Sequence, residues 1–266
     1  MDRGLRVVGA GWQGFAAEIA CWRDAGQTVE FWWRDDDAAR PTKPLERLLV
    51  LAAEFEVPPA LAVIPAQADK ALFTMLPPAA DILQHGSDHS NRAAPGEKKT
   101  EYPANESSDV ALARLAEARK RLAELAGTRP LAVLAPPWNR IPRHLLPRLA
   151  SCGFRGLSRY GARASAQAAR GVAEINTHVD IINWRSGRGF VGVEQALLQA
   201  TRHLAARRER RVDPGEPTGW LTHHACHDEQ AWTFLAELFA RLRSERGVVW
   251  RSARDLFAHP AAAACP

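Results

Sequence analysis

The sequence predicts an α/β fold in which about seven or eight strand–helix units form a barrel of parallel strands. Two features predict it. Short apolar segments of strand length alternate with amphipathic segments of helix length along the 266 residues, which is typical of parallel strands joined by right-handed crossovers. Polar side chains also follow several of these strands at their carboxyl ends, where barrels build their active sites. An open doubly wound sheet is the main alternative.

The composition is that of a globular protein, with 46% hydrophobic and 24% charged residues. The formal charge of +5 would suit anionic partners, but the arginines are spread along predicted helices, so we expect no nucleic-acid partner. The four cysteines form no CxxC pair, which favours reduced thiols. No segment approaches the ~18 apolar residues of a membrane span, so we expect a cytoplasmic protein without a membrane partner. The sequence does not predict the oligomeric state.

We expect one catalytic domain over residues 1–266, with a core at about 29–257 and an N-terminal helical extension at 1–28. In the extension, three apolar residues at helical spacing predict a short amphipathic helix over 12–25 that packs outside the core. These residues are Phe15, Ile19 and Trp22.

The predicted strands are short, apolar and bounded by turn residues. They are 29–33, 60–64, 80–84, 131–134, 154–157, 174–184, 219–224 and 248–250. The helices between them have recognisable ends, such as Pro44 in a first turn, Ser108 at an N-cap and Gly127 after a last turn. Further along, Asp228 could cap the last long helix. The predicted helices are about 44–55, 67–76, 108–125, 143–151, 193–208 and 228–242, and the predicted exposed loops are 90–107 and 160–171.

A glycine pattern near the N-terminus resembles a phosphate-binding turn. Gly9, Gly11 and Gly14 spell GxGxxG after a short segment, Arg6–Val8, that could be a strand. The bulky Trp12 lies inside this turn, and no acidic strand end follows at about 20 residues except the aspartate run. We therefore do not expect a dinucleotide site.

The first confident strand ends in an arginine and three consecutive carboxylates, Arg34, Asp35, Asp36 and Asp37. Adjacent like charges repel and are costly to desolvate, so a simple turn would rarely contain them. One interpretation is a solvated loop after a buried strand. The other is a divalent-metal site with a spare carboxylate as general base, which requires neutral ligands at the ends of later strands.

Histidines supply such ligands. His85 and His89 follow the third predicted strand, and a helical turn there would place both imidazoles on one side. Two histidines and one aspartate suit zinc or another first-row divalent ion. The two segments together therefore predict a metal centre.

The order of these motifs resembles the polysaccharide deacetylase family, whose shared domain is the NodB-homology domain of carbohydrate esterase family 4. Its first motif is a Thr-Phe-Asp-Asp-Gly strand end, matched here by Arg34–Ala38. The match implies Asp36 as catalytic base and Asp37 as metal ligand. A register one residue earlier would assign these roles to Asp35 and Asp36 instead.

The second and third motifs match with departures. His85 and His89 match the two metal ligands of His-Ser/Thr-x-x-His, with Gly86 in place of the hydroxyl residue. Ala135–Trp138 keeps the proline and the aromatic residue of Arg-x-Pro-aromatic but lacks its arginine, which in the family pairs with the base. The candidates to replace that arginine are Arg34 and Arg140.

The last two motifs lie in the second half of the chain. Asp180–Trp184 matches Asp-x-x-Asp-Trp, with Asn183 at the second acid. Leu221–His224 matches the strand end that carries the general acid, and His223 is preferred over His224 because it directly follows the apolar run. The resemblance implies a distorted (β/α)7–8 barrel of NodB-homology type. It also implies substrate contacts from Trp138, Asn139, Arg140, Asp180 and Trp184.

The resemblance implies hydrolysis of an amide C–N bond by metal-activated water, with Asp36 as base and His223 as acid. The expected substrate is an N-acetylated sugar or a related small amide, and the expected cofactor is a divalent ion, with zinc first and cobalt, nickel or manganese as alternatives. A backbone N–H near Trp138 or Asn139 would stabilise the oxyanion. Two other functions stay open: hydrolysis of a ureide or formamide-type metabolite, and a non-catalytic glycan-binding barrel, which the missing motif arginine would favour.

Two groups of residues keep both a functional and a structural interpretation. The tryptophans near predicted strand ends could stack on a sugar ring or pack in the core. They are Trp33, Trp138, Trp184 and Trp220. The charged residues of the loop after the histidines could orient a substrate, although a solvated loop is the preferred interpretation. They are Glu97, Lys98, Lys99 and Glu101.

Overall fold

A computed structural model of the protein describes residues 11–258 and shows a mixed α/β fold around one largely parallel sheet. The predicted distorted barrel is confirmed. The Arg6–Val8 segment and Gly9 lie outside the described residues, while Gly14 lies inside the first helix instead of in a turn. The single-domain organisation over residues 1–266 stays a prediction.

Ten strands form the sheet in the order β6-β7-β5-β4-β3-β2-β1-β9-β8, with β10 paired to β1. All pairings between these strands are parallel except β6 with β7. The strands are β1 Val29–Ala38, β2 Pro59–Val63, β3 Asp81–His85, β4 Pro130–Ala135, β5 Gly156–Leu157, β6 Gln167–Ala169, β7 Val172–Glu174, β8 Val179–Asp180, β9 Thr218–Thr222 and β10 Val248–Trp250.

Helices connect these strands. They are α1 Trp12–Asp24, α2 Lys43–Phe55, α3 Lys70–Met75, α4 Ser108–Ala126, α5 Val193–Arg208, α6 Glu229–Arg243 and α7 Ala253–Ala258, with short 3₁₀ segments at Pro137–Asn139, Arg143–Cys152 and His224–Cys226. The predicted helix at 143–151 is a 3₁₀ segment because Pro147 interrupts it and has no N–H for an α-helical hydrogen bond. The helix predicted from 67 begins at Lys70, since the Asp69 side chain caps it by accepting from the Leu72 N–H.

Three sequence-based expectations about the strands and the extension are corrected. Helix α1 is part of the core, because Phe15, Ile19 and Trp22 are buried in the main apolar cluster. The predicted strand 174–184 is not continuous: it contains the last residue of β7 and the whole of the two-residue strand β8. The predicted loop 160–171 contains β6, which forms a hairpin with β7.

Side chains on β1 alternate between two environments, as the two-residue period of a strand requires. Phe31 and Trp33 pack into the cluster under the helices, whereas Trp32 faces the barrel interior. The Trp32 indole N–H donates to the Asn176 carbonyl at 3.0 Å. Gly219 on the neighbouring strand makes room for it, because a Cβ there would lie 2.3 Å from Trp32 Nε1. Burial of each such side chain stabilises the fold by about 2–3 kcal/mol.

The sequence predicts that strand β1 ends at Trp33, but the strand continues through the aspartates to Ala38. Arg34 and Asp36 therefore follow Trp32 on the interior face, and Asp35 lies on the opposite face. The buried charges are tolerated because Arg34 and Asp36 pair with each other, and Asp35 has hydrogen-bonding partners in His224 and Thr222. This extension of β1 brings its carboxylates to the carboxyl-terminal edge of the sheet, where the site is built.

Candidate metal centre and active-site cavity

Three predicted metal ligands converge at the carboxyl ends of β1 and β3. Asp37 Oδ1 lies 3.1 Å from His85 Nε2 and 3.2 Å from His89 Nε2. Asp37 is the last aspartate of β1, His85 ends β3, and His89 follows in the next loop. The two strands flank β2, so their ends lie close together.

The donor atoms of this triad fit a divalent ion. His85 Nδ1 lies 2.8 Å from the Ala135 carbonyl, and an N–H donated there leaves the lone pair on Nε2, facing Asp37. Asp37 Oδ1 is buried and has no hydrogen-bonding partner. Burial alone would raise the pKa of Asp37, but the close approach of His85 and the charges of nearby histidines outweigh it, so its pKa lies below the ordinary value. An ionised carboxylate and two imidazole nitrogens are typical zinc ligands.

Asp36 is held by Arg34 in a buried bidentate ion pair. Arg34 Nε donates to Asp36 Oδ1 at 2.8 Å, and Nη2 donates to Oδ2 at 3.0 Å. The same guanidinium donates to Asn139 Oδ1 at 2.6 Å and to Ser158 Oγ at 2.7 Å. Arg34 therefore supplies the ion pair with Asp36 that the third motif, without its arginine, cannot supply. Arg140, the other candidate, is exposed and donates to the Lys99 carbonyl at 2.7 Å.

Substitution of Arg34 by lysine is expected to lower turnover by about 100-fold while bound metal is retained. A lysine can donate to one Asp36 oxygen but cannot also satisfy Asn139 and Ser158. The loss of these contacts is also expected to destabilise the fold by about 2–4 kcal/mol. Thermal unfolding, metal content and turnover would be measured beside Arg143→Lys, an exposed arginine next to the same loop. Unchanged turnover in Arg34→Lys would show that Arg34 does not orient the base.

The two adjacent histidines after β9 have different environments. His223 lines the cavity, with Nε2 4.0 Å from Asp36 Oδ2. His224 turns away and pairs through Nδ1 with Asp35 Oδ1 at 2.5 Å. Asp35 Oδ2 also accepts from Thr222 Oγ1 at 2.6 Å. The geometry favours His223 over His224 as the acid, because only His223 lines the cavity. It favours Asp36 as the base, because the alternative register would require a base at Asp35, which does not line the cavity.

The cavity above the metal centre has a volume of about 650 Å³ and is lined by every predicted substrate-binding residue. These are Trp138, Asn139, Arg140, Asp180 and Trp184. The Trp184 indole N–H donates to Asp180 Oδ2 at 2.7 Å, and its ring contacts His223 edge-on at a centroid distance of 4.6 Å. The Asp180 pKa is raised, mainly by burial. Trp33 and Trp220, by contrast, are fully buried in the core and cannot stack on a substrate.

Solved structures similar to this one extend over most of the chain. A protein from Mycobacterium smegmatis described as a polysaccharide deacetylase has a TM-score of 0.62 at 18% identity, covering 88% of this chain and 90% of that one. The family 4 carbohydrate esterase from Streptomyces lividans, in complex with acetate, has a TM-score of 0.52 at 14% identity, covering 84% and 90%. The allantoinase PuuE has a TM-score of 0.60 at 14% identity, covering 87% and 89%.

The chain has the polysaccharide deacetylase fold. No family model matches the sequence, and no curated protein matches it significantly. The assignment of the fold therefore depends on the similarity of structure over most of the chain. Among the described residues, no helix is long and apolar enough to cross a bilayer.

Sequence reasoning misses Glu101 of this chain, because it lies in a loop that the sequence predicts to be solvated. It is fully buried, and its Oε1 accepts from the backbone N–H groups of Ser87 at 2.8 Å and Asp88 at 3.4 Å. A Cβ on Gly86 would lie 2.1 Å from Glu101 Oε2 and 2.5 Å from Pro137 Cδ. Gly86 also has a φ of +60°. The departure from the second motif thus makes room for a carboxylate that fixes the loop between the two histidine ligands.

Substitution of Glu101 by glutamine is expected to weaken metal binding by about 10- to 100-fold, the usual effect of removing a residue that orients metal ligands. Glutamine keeps the size of the side chain but loses the charge that attracts two backbone N–H groups. Metal affinity would be measured by competition with a chelator, beside thermal unfolding of the metal-free protein. The matched control is Glu97→Gln in the exposed part of the loop. Equal affinity in the two variants would contradict a positioning role.

A second group of potential ligands is buried near the starts of β8 and β9, next to α5. It consists of His178, His203 and Glu216. The Gly219 N–H donates to His178 Nδ1 at 3.0 Å, so in the neutral ring the proton is on Nε2, which faces Glu216 Oε2 at 3.3 Å. A protonated Nε2 does not bind a metal. Both carboxylate oxygens of Glu216 accept backbone N–H groups, and burial raises its pKa to about 7. His178 and Glu216 thus hydrogen-bond to backbone groups around β8 and β9, and the proton on His178 Nε2 does not suit a second metal centre.

Proposed function

We propose that the protein is a metal-dependent hydrolase of an amide C–N bond that removes the acyl group of an N-acetylated sugar or a related small amide. The observation that carries this proposal is the placement of five groups around one cavity. The metal triad lies on one side, and Asp36 and His223 lie 4.0 Å apart beside it. A base and an acid next to a Lewis-acid site are the parts that amide hydrolysis needs.

Asp37, His85 and His89 would hold the ion. Zinc is the proposed ion, and cobalt, nickel or manganese suit the same donors. A bound ion supplies a Lewis acid that polarises the acyl carbonyl and lowers the pKa of water. The other steps belong to side chains and backbone groups of the chain itself.

Asp36 takes the proton of the attacking water, and Arg34 keeps its carboxylate oriented toward the cavity. His223 donates a proton to the departing nitrogen, which leaves as an amine. The Asn139 N–H is already donated to the Pro136 carbonyl at 2.9 Å. This leaves the Trp138 N–H as the backbone donor proposed for the oxyanion.

The aromatic walls of the cavity support a saccharide substrate. Trp138 packs against His89 at a centroid distance of 4.4 Å. Trp184 donates its indole N–H to Asp180 and has 46% of its surface exposed. Exposed aromatic faces suit the apolar faces of sugar rings. A ureide or formamide substrate is the second candidate, favoured by the similarity of the fold to the allantoinase PuuE. A glycan-binding barrel without turnover is the third.

Elemental analysis of the purified protein, followed by a screen for amine release, separates these functions. We expect about one bound ion per chain and release of amine from N-acetylated sugars, with loss of activity after chelation and recovery after zinc is added. Release only from ureides or formamides would favour the second candidate. Sugar binding that is unaffected by a chelator, in protein without stoichiometric metal, would favour the third and overturn the proposal.

A further inference from the structure

The mouth of the cavity carries three cationic side chains, Lys99, Arg140 and Arg188. We propose that these residues bind an anionic group of the substrate, a carboxylate or a phosphate, and so make the protein selective for acidic N-acyl saccharides. This proposal rests on the proposed function, because it describes the substrate of the same cavity. It gives Arg140 an anion-binding role and adds Lys99 and Arg188, which are not among the substrate contacts expected from the sequence.

The three cations come from three separate loops. Lys99 lies in the loop before α4, Arg140 follows β4, and Arg188 lies in the loop before α5. All three are exposed. The Arg140 guanidinium donates to the Lys99 carbonyl at 2.7 Å, which connects two of the loops at the cavity edge. Because distant segments bring like charges to one opening, this arrangement differs from the charged face of a single solvated helix.

About half of the arginines in residues 11–258 pair with a carboxylate, whereas the three cations that line the cavity mouth have no anionic partner there. Within residues 11–258, none of the three has a carboxylate oxygen within 4.0 Å of its charged nitrogens. Several other exposed or half-buried arginines are paired, as in Arg47 with Glu229, Arg114 with Glu106 and Arg208 with Glu18. Repulsion between unpaired like charges favours binding of an anion between them.

The carboxylates inside the cavity do not neutralise the cations. Asp36 is already paired with Arg34, and Asp37 is a ligand for the proposed ion. Asp180 is the remaining carboxylate of the lining, and its single negative charge is outnumbered by the three cations. The cavity of the metal-loaded protein therefore has a net positive charge, with the free cations at its outer edge.

The size and walls of the cavity suit one or two sugar rings with the anion at the mouth. Tyr160, with 45% of its surface exposed, and Trp184 flank the opening, and the volume is about 650 Å³. A sugar ring between aromatic faces, with its acyl group toward Asp37, would place ring substituents near Arg140 and Arg188. A carboxylate or phosphate on such a substituent can accept the paired N–H groups of an arginine.

The test compares kcat/KM for three probes: N-acetylglucosamine, N-acetylglucosamine 6-phosphate and N-acetylmuramic acid. We expect at least one anionic probe to be preferred over the neutral sugar by about tenfold or more, and the two anionic probes distinguish a phosphate from a carboxylate. Arg140→Gln and Arg188→Gln are each expected to reduce this preference by about three- to tenfold, mainly through KM. Added salt should also reduce it. The control is Arg246→Gln, an exposed arginine in the loop before β10, which should leave the preference unchanged.

Binding measured by calorimetry separates this proposal from the proposed function. The metal-loaded Asp36→Asn protein is titrated with the same probes, with and without Arg140→Gln or Arg188→Gln. If no probe releases amine but the anionic sugars bind more tightly and the arginine substitutions weaken them, the proposed function fails and the anion site stands. If neutral and anionic sugars bind equally, or the substitutions leave their ratio unchanged, the anion site is wrong.

Discussion

Replacement of Asp37 by alanine is expected to remove bound metal and amine-releasing activity together, with turnover falling by about three orders of magnitude or more. Asp37 supplies the only carboxylate of the triad, and without its charge two neutral imidazoles hold a divalent ion weakly. His85→Ala is expected to have the same effect, because His85 Nε2 is held toward the site by the Ala135 carbonyl. Metal content per chain and amine release would be measured on the same preparations.

Two controls accompany these variants. His144→Ala removes an exposed histidine, and His203→Gln changes the second histidine group. Both are expected to keep one ion per chain. Stoichiometric metal in Asp37→Ala would contradict the assignment of this ligand. Loss of metal only in His203→Gln would show that the ion binds at the second histidine group and not at Asp37.

Replacement of Asp36 by asparagine is expected to separate metal binding from activity, with metal retained and turnover reduced by about 10²- to 10⁴-fold. Asparagine has nearly the same shape but cannot accept a proton from water. It also leaves the buried Arg34 charge unpaired, so we expect a loss of about 2–4 kcal/mol in unfolding free energy. Single-turnover amine release at saturating substrate would be compared with the wild type, and assays would stay well below the midpoint of thermal unfolding.

The outcome for Asp36→Asn also tests the register of the aspartate run. Full activity would show that another group takes the proton and would return the base to Asp35. The structure argues against this result, because both Asp35 oxygens are occupied by His224 and Thr222 on the other face of β1. Loss of metal in Asp36→Asn would instead indicate that Asp36 is a ligand and not the base.

The fold and the three candidate metal ligands could be predicted from the sequence because their signals are local in the chain. Apolar runs and helix caps predicted most elements, and the two histidines after β3 lie close together in the chain. The motif match favoured Asp36 as base and Asp37 as ligand, but the sequence alone could not decide between this register and the one that starts at Asp35, since three identical residues carry the same chemistry. The register depends on strand parity: Trp32, Arg34 and Asp36 share the interior face, which is visible only once β1 is known to extend to Ala38.

The supporting residues could not be predicted because their partners are distant in the chain. Asp35 pairs with His224, and Arg34 contacts Asn139 and Ser158, at separations of more than 100 residues. Glu101 has the same local sequence character as its exposed neighbour Glu97, and burial alone distinguishes them. The signal that could have indicated Glu101 was Gly86, a departure from the motif at a position that would otherwise carry a side chain.

The most direct test of the central claim is anomalous X-ray diffraction from crystals of the zinc-loaded protein, measured on both sides of the metal absorption edge. The claim predicts one strong peak about 2.0–2.2 Å from a carboxylate oxygen of Asp37 and from Nε2 of His85 and His89. A peak among His178, His203 and Glu216, or no ordered peak near Asp37 in protein shown to contain zinc, would contradict it.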